Sequence, residues 1–587
     1  MRTTRLAGTT ATLALIAAVV VVPATAASAT DPCETAPRLS GTFVQPALID
    51  GWTNGQLDDE FEYLDDACID THILQWTADS GAGTAIYDSG LPGITQTTST
   101  DVIDRLLEYA ESWDKTVYVG LQVNHEWFTK GVSDLTWLGE EADFAKDLAD
   151  ELYDNYGAYE SFDGWYLPFE VDNLNFPTST EWGRLGDFYD DVIDHLHTLD
   201  PALPVIVAPF YNDGLGGTIN PATWGDMWES ILTDADIDVI ALQDGVGAGH
   251  ASVGDLADWF SATRDAIDTV RPSTQLITDA ETFIFGPSGL QPMALASVVA
   301  DLDAVAPYVD GFWAFAYDHY QSPLSVPAAY HATYLDYLVN GVVESSAPGT
   351  PTSLAATASG SQVINLTWTA PSDNIGVAGY QIFRGGSLVA IKHGSTSGWS
   401  DSQLDGSTSY SYTVKAFDAA GNLSSATSAA SATTGSAPSY ANTWSTSATY
   451  TSTVAANASY PDTGGTELTD GTRGAALYGA AWQGRNAPGT YSFTVDLGTS
   501  RSLGMVETGW LQVRNDYVFL PPSVTIETSP NGTTWTTQGT ITTPPVTDAL
   551  QVKNYSLLGL SVSARYVRVT VDGGSAWTML DEILVKG

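Results

Sequence analysis

The chain has 587 residues, too many for one hydrophobic core, so we expect about two to four domains. Its 21 basic and 70 acidic residues give a net charge of -49, which argues against binding to nucleic acid or to an anionic membrane surface. We interpret this acidity as a solubility feature of a protein in an extracellular or saline medium, rather than as a site for a cationic partner.

The first residues of the chain have the pattern of an export signal. Arg2 and Arg5 precede an apolar run, Ala11 to Val22, and small residues suited to cleavage follow it. We therefore predict a signal peptide over residues 1–29. The apolar run is too short to span a bilayer comfortably and no other run approaches that length, so we expect a secreted, extracellular monomer without a membrane anchor.

The two cysteines, Cys33 and Cys68, both lie near the start of the exported part. In an oxidising compartment we expect one disulfide that ties the N-terminal tail to the first helix of the next domain. A metal site is the weaker alternative, because two thiols without a nearby histidine provide too few ligands.

From Leu39 to about Ser346, short apolar runs alternate with amphipathic helical patterns, which is typical of a parallel sheet with crossover helices. Eight runs qualify as strands: 39–48, 71–77, 116–123, 164–170, 204–211, 237–244, 275–283 and 309–317. We predict a (β/α)8 TIM barrel over residues 30–346. A doubly wound sheet is the alternative, disfavoured because no glycine-rich phosphate loop follows the first strand.

Two of these strands end in glutamate. Glu170 ends the fourth and Glu281 the seventh. Active sites of such barrels lie at the carboxyl ends of the strands, and two carboxyl groups about 5–5.5 Å apart can cleave a glycosidic bond with retention. Large barrel families of retaining glycosidases place the acid/base on strand four and the nucleophile on strand seven. This sequence resembles that arrangement, and the resemblance implies these roles for Glu170 and Glu281. Asp279 shares the strand parity of Glu281 and is the competing nucleophile, or an orienting carboxylate.

Other strand ends supply amide, carboxylate and aromatic groups of the kind that bind a polyol. For each residue taken singly, barrel packing or loop capping is the alternative. We predict no catalytic metal or other cofactor, because the histidines near these ends have no further histidine or cysteine at ligand spacing. The predicted substrate contacts are Gln75, Trp76, Asn124, His125, Tyr211, Asn212, Gln243, Asp244, Asp279, Trp313 and Tyr317.

Four motifs make the barrel similar to a known family. They are Ser40-Gly41-Thr42-Phe43, Gly164-Trp165-Tyr166-Leu167-Pro168-Phe169-Glu170, Gln243-Asp244-Gly245-Val246-Gly247 and Asp279-Ala280-Glu281-Thr282-Phe283. With them the region resembles the secreted barrel proteins grouped as domain of unknown function 4434, which are considered glycosidase-like. The resemblance implies the fold and the location of the site, but no substrate.

A linker at residues 345–351 introduces a region of period-two alternation. Trp368, Tyr410 in the tyrosine-corner position and Asp418-Ala419-Ala420-Gly421-Asn422 make residues 347–435 similar to a bacterial fibronectin type III module. The resemblance implies an immunoglobulin-like β-sandwich, and we expect it to act as a spacer.

The last region, residues 436–587, resembles a discoidin (coagulation factor 5/8 type C) module. The similarity rests on Tyr460-Pro461-Asp462, Leu468-Thr469-Asp470-Gly471, Val495-Asp496-Leu497-Gly498, Arg565-Tyr566-Val567-Arg568 and Asp581-Glu582-Ile583. The resemblance implies a galactose-binding-like jelly roll that binds carbohydrate, with a structural Ca²⁺ near Asp470 and Glu582. Trp482 is the preferred candidate for stacking on a sugar, and Trp510 is more typical of a sandwich core.

Together these features predict a multidomain, secreted glycoside hydrolase that acts on a polysaccharide or oligosaccharide by a retaining two-carboxylate mechanism. Binding modules raise the local concentration of a polymeric substrate, which favours this interpretation. The alternative is a non-catalytic secreted glycan-binding or adhesion protein whose barrel has lost its activity.

Overall fold

The computed structural model describes residues 32–34, 37–286, 289–462, 464–475, 477–486, 489–514, 518–545, 550–574 and 577–587. The predicted signal peptide, residues 1–29, lies outside the described residues.

Eight parallel strands close into a barrel in chain order, as the alternation of apolar runs predicted. They are shorter than predicted, and the fourth ends at Leu167, so that Glu170 stands on the loop beyond it. The strands are Gly41–Val44, Thr71–Leu74, Thr116–Gly120, Phe162–Leu167, Val205–Val207, Val239–Gln243, Gln275–Glu281 and Gly311–Phe315.

Helices surround the barrel, and several begin at side chains that satisfy free backbone N–H groups. The carboxylate of Asp101, for example, accepts hydrogen bonds from the N–H groups of Ile103 and Asp104. The helices are Pro46–Gly51, Asn54–Asp66, Val102–Ser112, Leu135–Tyr156, Ser179–Leu199, Pro221–Asp234, Leu256–Val270, Leu295–Val305, Tyr317–Tyr320 and Ala329–Asn340, with 3-10 turns at Pro32–Glu34 and Gly131–Ser133. A third 3-10 turn, Glu467–Thr469, lies in the C-terminal region.

Side chains that alternate along the strands fill the barrel interior. Phe43, Tyr166, Ile277 and Trp313 belong to this inner cluster. Because successive residues of a strand point to opposite faces, the residue two positions after Ile277, Asp279, also faces inward. This alternation determines which polar groups reach the mouth of the barrel.

Short strands extend the mouth beyond the barrel. Residues Ala78–Asp79, Thr84–Ala85, Thr95–Gln96 and Gln122–Val123 form a small sheet beside the second and third barrel strands. A hairpin, Phe283–Gly286 with Gly289–Pro292, follows the seventh strand and leads into the helix Leu295–Val305.

The middle region is a sandwich of two antiparallel sheets. Trp368 from one sheet packs in the same buried cluster as Tyr380, Tyr412 and Val414 from the other. One sheet contains Thr352–Ser359, Val363–Thr369 and Gly398–Asp401, and the other Ser387–His393, Val377–Arg384, Ser409–Asp418 and Ala430–Thr433. The fibronectin type III identity of this sandwich remains a prediction.

The C-terminal region is an antiparallel β-domain. Its core contains Phe493, Val506, Trp510 and Val569, all fully buried. Its strands are Thr449–Ser452, Gln483–Asn486, Thr490–Val513, Ser523–Ser529, Thr536–Thr542, Leu550–Asp572 and Trp577–Lys586.

The predicted disulfide between Cys33 and Cys68 is present. It joins the N-terminal 3-10 turn to the residues that follow the helix Asn54–Asp66. Among the described residues, every helix is either too short or too polar to cross a membrane.

Candidate active site

Glu170 is held at the barrel mouth by two hydrogen bonds, one from the sixth strand and one from the loop after the third strand. The side-chain amide of Gln243, the last residue of the sixth strand, donates a hydrogen bond of 2.9 Å to Glu170 Oε1. The same amide donates to the carbonyl of Ala208, which fixes its direction. The indole N–H of Trp127 donates to the backbone carbonyl of Glu170 at 2.6 Å. The carboxyl group is therefore oriented rather than free to rotate into solvent.

The pKa of Glu170 is raised to about 7. Burial is the largest cause, because it penalises the ionised form, and the negative charge of Asp172 adds to it. The hydrogen bond from Gln243 acts in the opposite direction. Glu170 can therefore hold a proton near neutral pH, as a general acid must.

Glu281 ends the seventh strand and is 6% exposed. Its Oε2 accepts a hydrogen bond of 2.5 Å from the N–H of Ala248, on the loop after the sixth strand. Burial raises the pKa of Glu281 to about 7, with further contributions from the charges of Glu170 and Asp301, whereas the N–H groups of Ala248 and Gly247 lower it.

Gly247 is required for this contact. A Cβ at this position would lie 2.2 Å from the carbonyl oxygen of Phe283 and 3.1 Å from Glu281 Oε2. The glycine therefore permits the loop to approach the carboxylate closely enough to donate backbone hydrogen bonds.

Two further carboxyl groups lie deeper. Asp279 is 2% exposed, faces the barrel interior, and has one oxygen without a hydrogen-bond donor among the described residues. Burial raises its pKa well above the usual range, and the charges of Glu281 and Glu170 add to this. Burial likewise raises the pKa of Asp244, and the negative charges of Glu281 and Asp301 raise it further.

These buried carboxyl groups predict a pH-dependent stability. A carboxyl group whose pKa is higher in the folded state than in the unfolded state stabilises the fold fully when the pH lies below its unfolded pKa. This stabilisation is lost as the pH rises through its folded pKa. We therefore expect the Tm to fall as the pH rises from about 4.5, the ordinary pKa of a glutamate, to about 7, the raised pKa of Glu170 and Glu281. Asp279→Asn should weaken this dependence in thermal unfolding measured across the range.

The control is Asp143→Asn, because the Asp143 side chain is 81% exposed on a helix. It should leave the pH profile unchanged. A Tm that rises with pH in the parent protein would contradict the prediction.

A cleft of about 340 Å³ opens beside Glu170. Four predicted substrate contacts, Gln75, Trp76, Asn124 and His125, line it. Glu281 is not among its lining residues. The cleft therefore runs from Glu170 over the second, third and fourth strands.

Sequence reasoning missed several residues of this cleft. Asp79 lies on the small sheet beside the barrel and Phe128, 45% exposed, on the loop after the third strand. Neither position follows the periodicity of a barrel strand, so no pattern marked them. Gly247 lies in a motif used to recognise the family, yet its contact with Glu281 was not foreseen.

Four other predicted contacts lie away from the cleft. Tyr211 is fully buried, with its ring stacked on Trp259 at 4.5 Å between centroids. Trp313 belongs to the inner barrel cluster. Tyr317 is buried, and its hydroxyl group is hydrogen-bonded to Nδ1 of His331. The backbone N–H and carbonyl of Asn212 bond to the side chain of Asn173. These residues support the barrel, and we do not retain them as substrate contacts.

In the C-terminal module the preferred sugar-stacking residue was wrong. Trp482 is buried against Leu511 and Met579, and its indole N–H donates to the carbonyl of Ala475. Its glycine-rich surroundings suggested a loop, but the side chain folds into the core. Trp510 is in the core, as expected.

Three other aromatic residues of this module are partly exposed and lie next to one another. The ring of Tyr460 lies 5.5 Å from that of Tyr478 and 6.1 Å from that of Trp577, and Leu477 beside them is exposed. We call Tyr460, Tyr478 and Trp577 the aromatic face.

The residues predicted to hold Ca²⁺ are close to each other. Both carboxylate oxygens of Glu582 accept from the N–H of Gly471 at 3.2 Å, and the neighbouring Asp470 raises the pKa of Glu582, which burial has already raised to about 7. Elsewhere in the described chain, Glu344, Asp373 and Asp418 have carboxylate oxygens within 4.8 Å of one another.

Comparisons with known proteins give two family matches. The chain contains a DUF4434 domain, described as a domain of unknown function, over residues 39–327, and an F5/8 type C domain over residues 442–583. Both families are those that the sequence motifs indicated.

Parts of the chain are similar to several curated proteins and solved structures. Exoglucanase B of Cellulomonas fimi is 27% identical over 329 residues, which is 52% of this chain and 30% of that protein. Chitinase A1 of Niallia circulans is 46% identical over 91 residues, 16% of this chain and 13% of that protein. The structure of the endo-beta-1,4-mannanase from Thermotoga petrophila covers 67% of this chain and 97% of its own, at 12% identity and a TM-score of 0.37. The chain spans 7% to 30% of the length of the curated relatives it matches.

Proposed function

We propose that this protein is a secreted glycoside hydrolase of the retaining type, with Glu170 as acid/base and Glu281 as nucleophile. The observation that carries the proposal is a pair of carboxyl groups with raised pKa values at a barrel mouth, one of which opens into a cleft with aromatic and amide walls. This is the environment in which one carboxyl group keeps a proton while its neighbour ionises.

The hydrogen bonds to the two carboxyl groups support the roles that we propose for them. Glu281 accepts backbone N–H hydrogen bonds from the loop of Gly247 and Ala248, and these favour its ionised form. Glu170 has one amide donor and a repelling neighbour, Asp172. Because the two groups interact, their protons leave in two steps, and we expect the first to leave Glu281.

The reaction then follows in two displacements. Glu170 gives its proton to the glycosidic oxygen while Glu281 attacks the anomeric carbon, which forms a glycosyl-enzyme and releases the leaving sugar. Glu170, now ionised, takes a proton from water, and the water oxygen replaces Glu281 at the anomeric carbon. Each step regenerates the protonation state that the next one requires.

The test is a screen of the full chain against plant, fungal and bacterial polysaccharides, with the Glu170→Gln/Glu281→Gln double variant as the control. Release of reducing ends by the parent but not by the double variant supports the proposal. Equal release by both would overturn it.

The alternative, a non-catalytic glycan-binding protein, is favoured by one observation. Glu281 is nearly buried and does not line the cleft beside Glu170. Retention of a polysaccharide by the parent and the double variant alike, with no new reducing ends from either, would select this function.

We propose that the C-terminal module binds carbohydrate through the aromatic face. Its relationship to F5/8 type C domains supports carbohydrate binding, and flat rings stack on sugar C–H faces. Trp577→Ala and Tyr460→Ala should each weaken binding to an insoluble polysaccharide by up to about tenfold, because aromatic stacking contacts contribute roughly 0.5–1.5 kcal/mol. Pull-down isotherms measure this.

The matched control is Tyr566→Ala, which removes a partly exposed ring of the same module that lies beside Arg565. It should leave binding unchanged. If all three variants bind as the parent does, the aromatic face is not the binding surface.

We propose that Asp470 and Glu582 hold a structural Ca²⁺. Oxygen ligands suit this ion, and its charge would offset the repulsion between the two carboxylates. We expect added Ca²⁺ to raise the Tm of the full chain and a chelator to lower it, as measured by calorimetry. Glu582→Gln should remove most of this response.

Glu344→Gln is the control, since it changes a carboxylate of the other acidic group. It should leave the Ca²⁺ response intact. A response that disappears with Glu344→Gln and persists with Glu582→Gln would contradict the assignment.

A further inference from the structure

The middle sandwich contacts the barrel at the start of the helix Leu295–Val305. The first N–H groups of a helix have no partner within it, and the residue at the N-cap here, Ala294, has no side-chain acceptor. The N–H of Leu295 donates to the carbonyl of Ala419 at 2.9 Å, and that of Ala296 donates to the carbonyl of Ala420 at 3.3 Å. A loop of the sandwich therefore caps a helix of the barrel.

Apolar packing supports this contact. Tyr330 from the barrel forms one buried cluster with Ala378, Phe417 and Ala419 from the sandwich. The hydroxyl of Tyr330 also lies 3.2 Å from Nδ1 of His393. The cap is thus part of a buried interface rather than an isolated pair of hydrogen bonds.

Polar contacts hold the capping loop in shape. Asp418 Oδ1 accepts from the N–H groups of Gly421 and Asn422, both at 2.8 Å. The side-chain amide of Asn422 donates to Glu344, on the segment that joins the two domains. Loop and connecting segment are therefore tied to each other.

The capped helix is connected to the candidate active site. It carries Asp301, whose charge raises the pKa of both Glu281 and Asp244. It also follows the hairpin that begins two residues after Glu281. The position of this helix thus affects the surroundings of the proposed nucleophile.

We infer that the middle sandwich is not a spacer but an integral part of the barrel, which it completes by capping the helix Leu295–Val305 and fixing that helix beside Glu281. The docking does not depend on the proposed hydrolase activity; only its effect on Glu281 rests on that proposal.

The test uses Gly421→Val in the full chain. Gly421 has a φ of +104°, and a Cβ there would lie 2.9 Å from the Cβ of Ala294, so valine should separate the loop from the helix. We expect the amide hydrogens of Leu295 and Ala296 to exchange about tenfold faster or more than in the parent. We also expect barrel and sandwich to unfold in one calorimetric transition in the parent and in two in the variant.

The matched control is Gly386→Val. Gly386 has a φ of +90°, but a Cβ there would meet nothing within 4 Å, so the variant has similar backbone strain without a contact at the interface. Exchange at Leu295 and Ala296 should match that of the parent. Equal acceleration in both variants would mean that strain in the sandwich is the cause, and would overturn the inference.

A second interface variant decides the outcome if Gly421→Val does not fold. Gly376 has an ordinary φ, and a Cβ there would lie 3.3 Å from the Cβ of Ala329 across the interface. Gly376→Val should also accelerate exchange at Leu295 and Ala296. Parent-like exchange in this variant, or two transitions in the parent, would show that the domains fold independently. These readouts need no substrate, so they stand whether or not hydrolysis is found.

Discussion

Glu170→Gln is expected to lower kcat by about 10²- to 10⁴-fold on unactivated glycosides, because the amide cannot protonate the leaving oxygen. The loss should shrink on aryl glycosides whose leaving group needs no proton. In the parent, activity should fall as the pH rises above about 7, since Glu170 then loses the proton it must donate. The variant should lack this basic limb.

Glu126→Gln is the control. Glu126 lies on the loop after the third strand, where its carboxylate pairs with Lys130 at 2.8 Å, and it has no proposed part in the reaction. It should retain parent kcat and the parent pH profile. A Glu170→Gln variant whose basic limb persists on unactivated substrates would mean that another group is the acid.

Glu281→Ala is expected to have the larger effect, about 10⁴-fold or more in kcat, because no glycosyl-enzyme can form without the nucleophile. Removing the side chain leaves space beside the N–H groups of Gly247 and Ala248. A small anion such as azide should enter this space and restore part of the activity, with a glycosyl azide as the product. Product analysis by mass spectrometry and NMR measures this.

Asp279→Ala is the comparison that separates the two candidate nucleophiles. Asp279 is deeper in the barrel, and we expect its loss to reduce activity without rescue by azide. Rescue of Asp279→Ala, with none for Glu281→Ala, would exchange the two assignments. Loss of activity in Glu281→Ala should come with a folded protein, as judged by circular dichroism.

The barrel could be predicted because each buried strand is a short apolar run separated from the next by a helical pattern. Counting these runs led to Glu170, which lies on the loop three residues beyond the end of the fourth strand, and to its proposed partner on the seventh strand. The pKa values of Glu170 and Glu281 are raised because several structural elements bury these side chains at the barrel mouth. This burial depends on the assembled fold, and the sequence indicated it only through nearby aromatic residues.

Strand ends were where prediction failed. Phe210 and Tyr211 are adjacent, and a shift of one residue reverses the face to which a side chain points. Phe210 packs against Phe128, which lines the cleft, whereas Tyr211 packs against Trp259 of a surrounding helix. The apolar run predicted the strand to 211, but the strand ends at Val207, so parity could not be extended to its end.

Loop positions were beyond sequence reasoning for a different reason. Asp79 and Phe128 reach the cleft through the path of their loops, which no periodicity encodes. Trp482 shows the converse, because a stretch rich in small residues can still bury a large ring against Leu511 and Met579.

The bond between Cys33 and Cys68 has a practical consequence for producing the protein. It closes a segment with a sequence separation of 35, and it packs with the cluster around Leu39 and Tyr334, on the outside of the barrel. A host cytoplasm would keep both thiols reduced and remove this constraint on the unfolded chain. Material made there should contain a complete cleft but lose heat resistance, so an oxidising expression compartment is the better choice for storage and crystallisation.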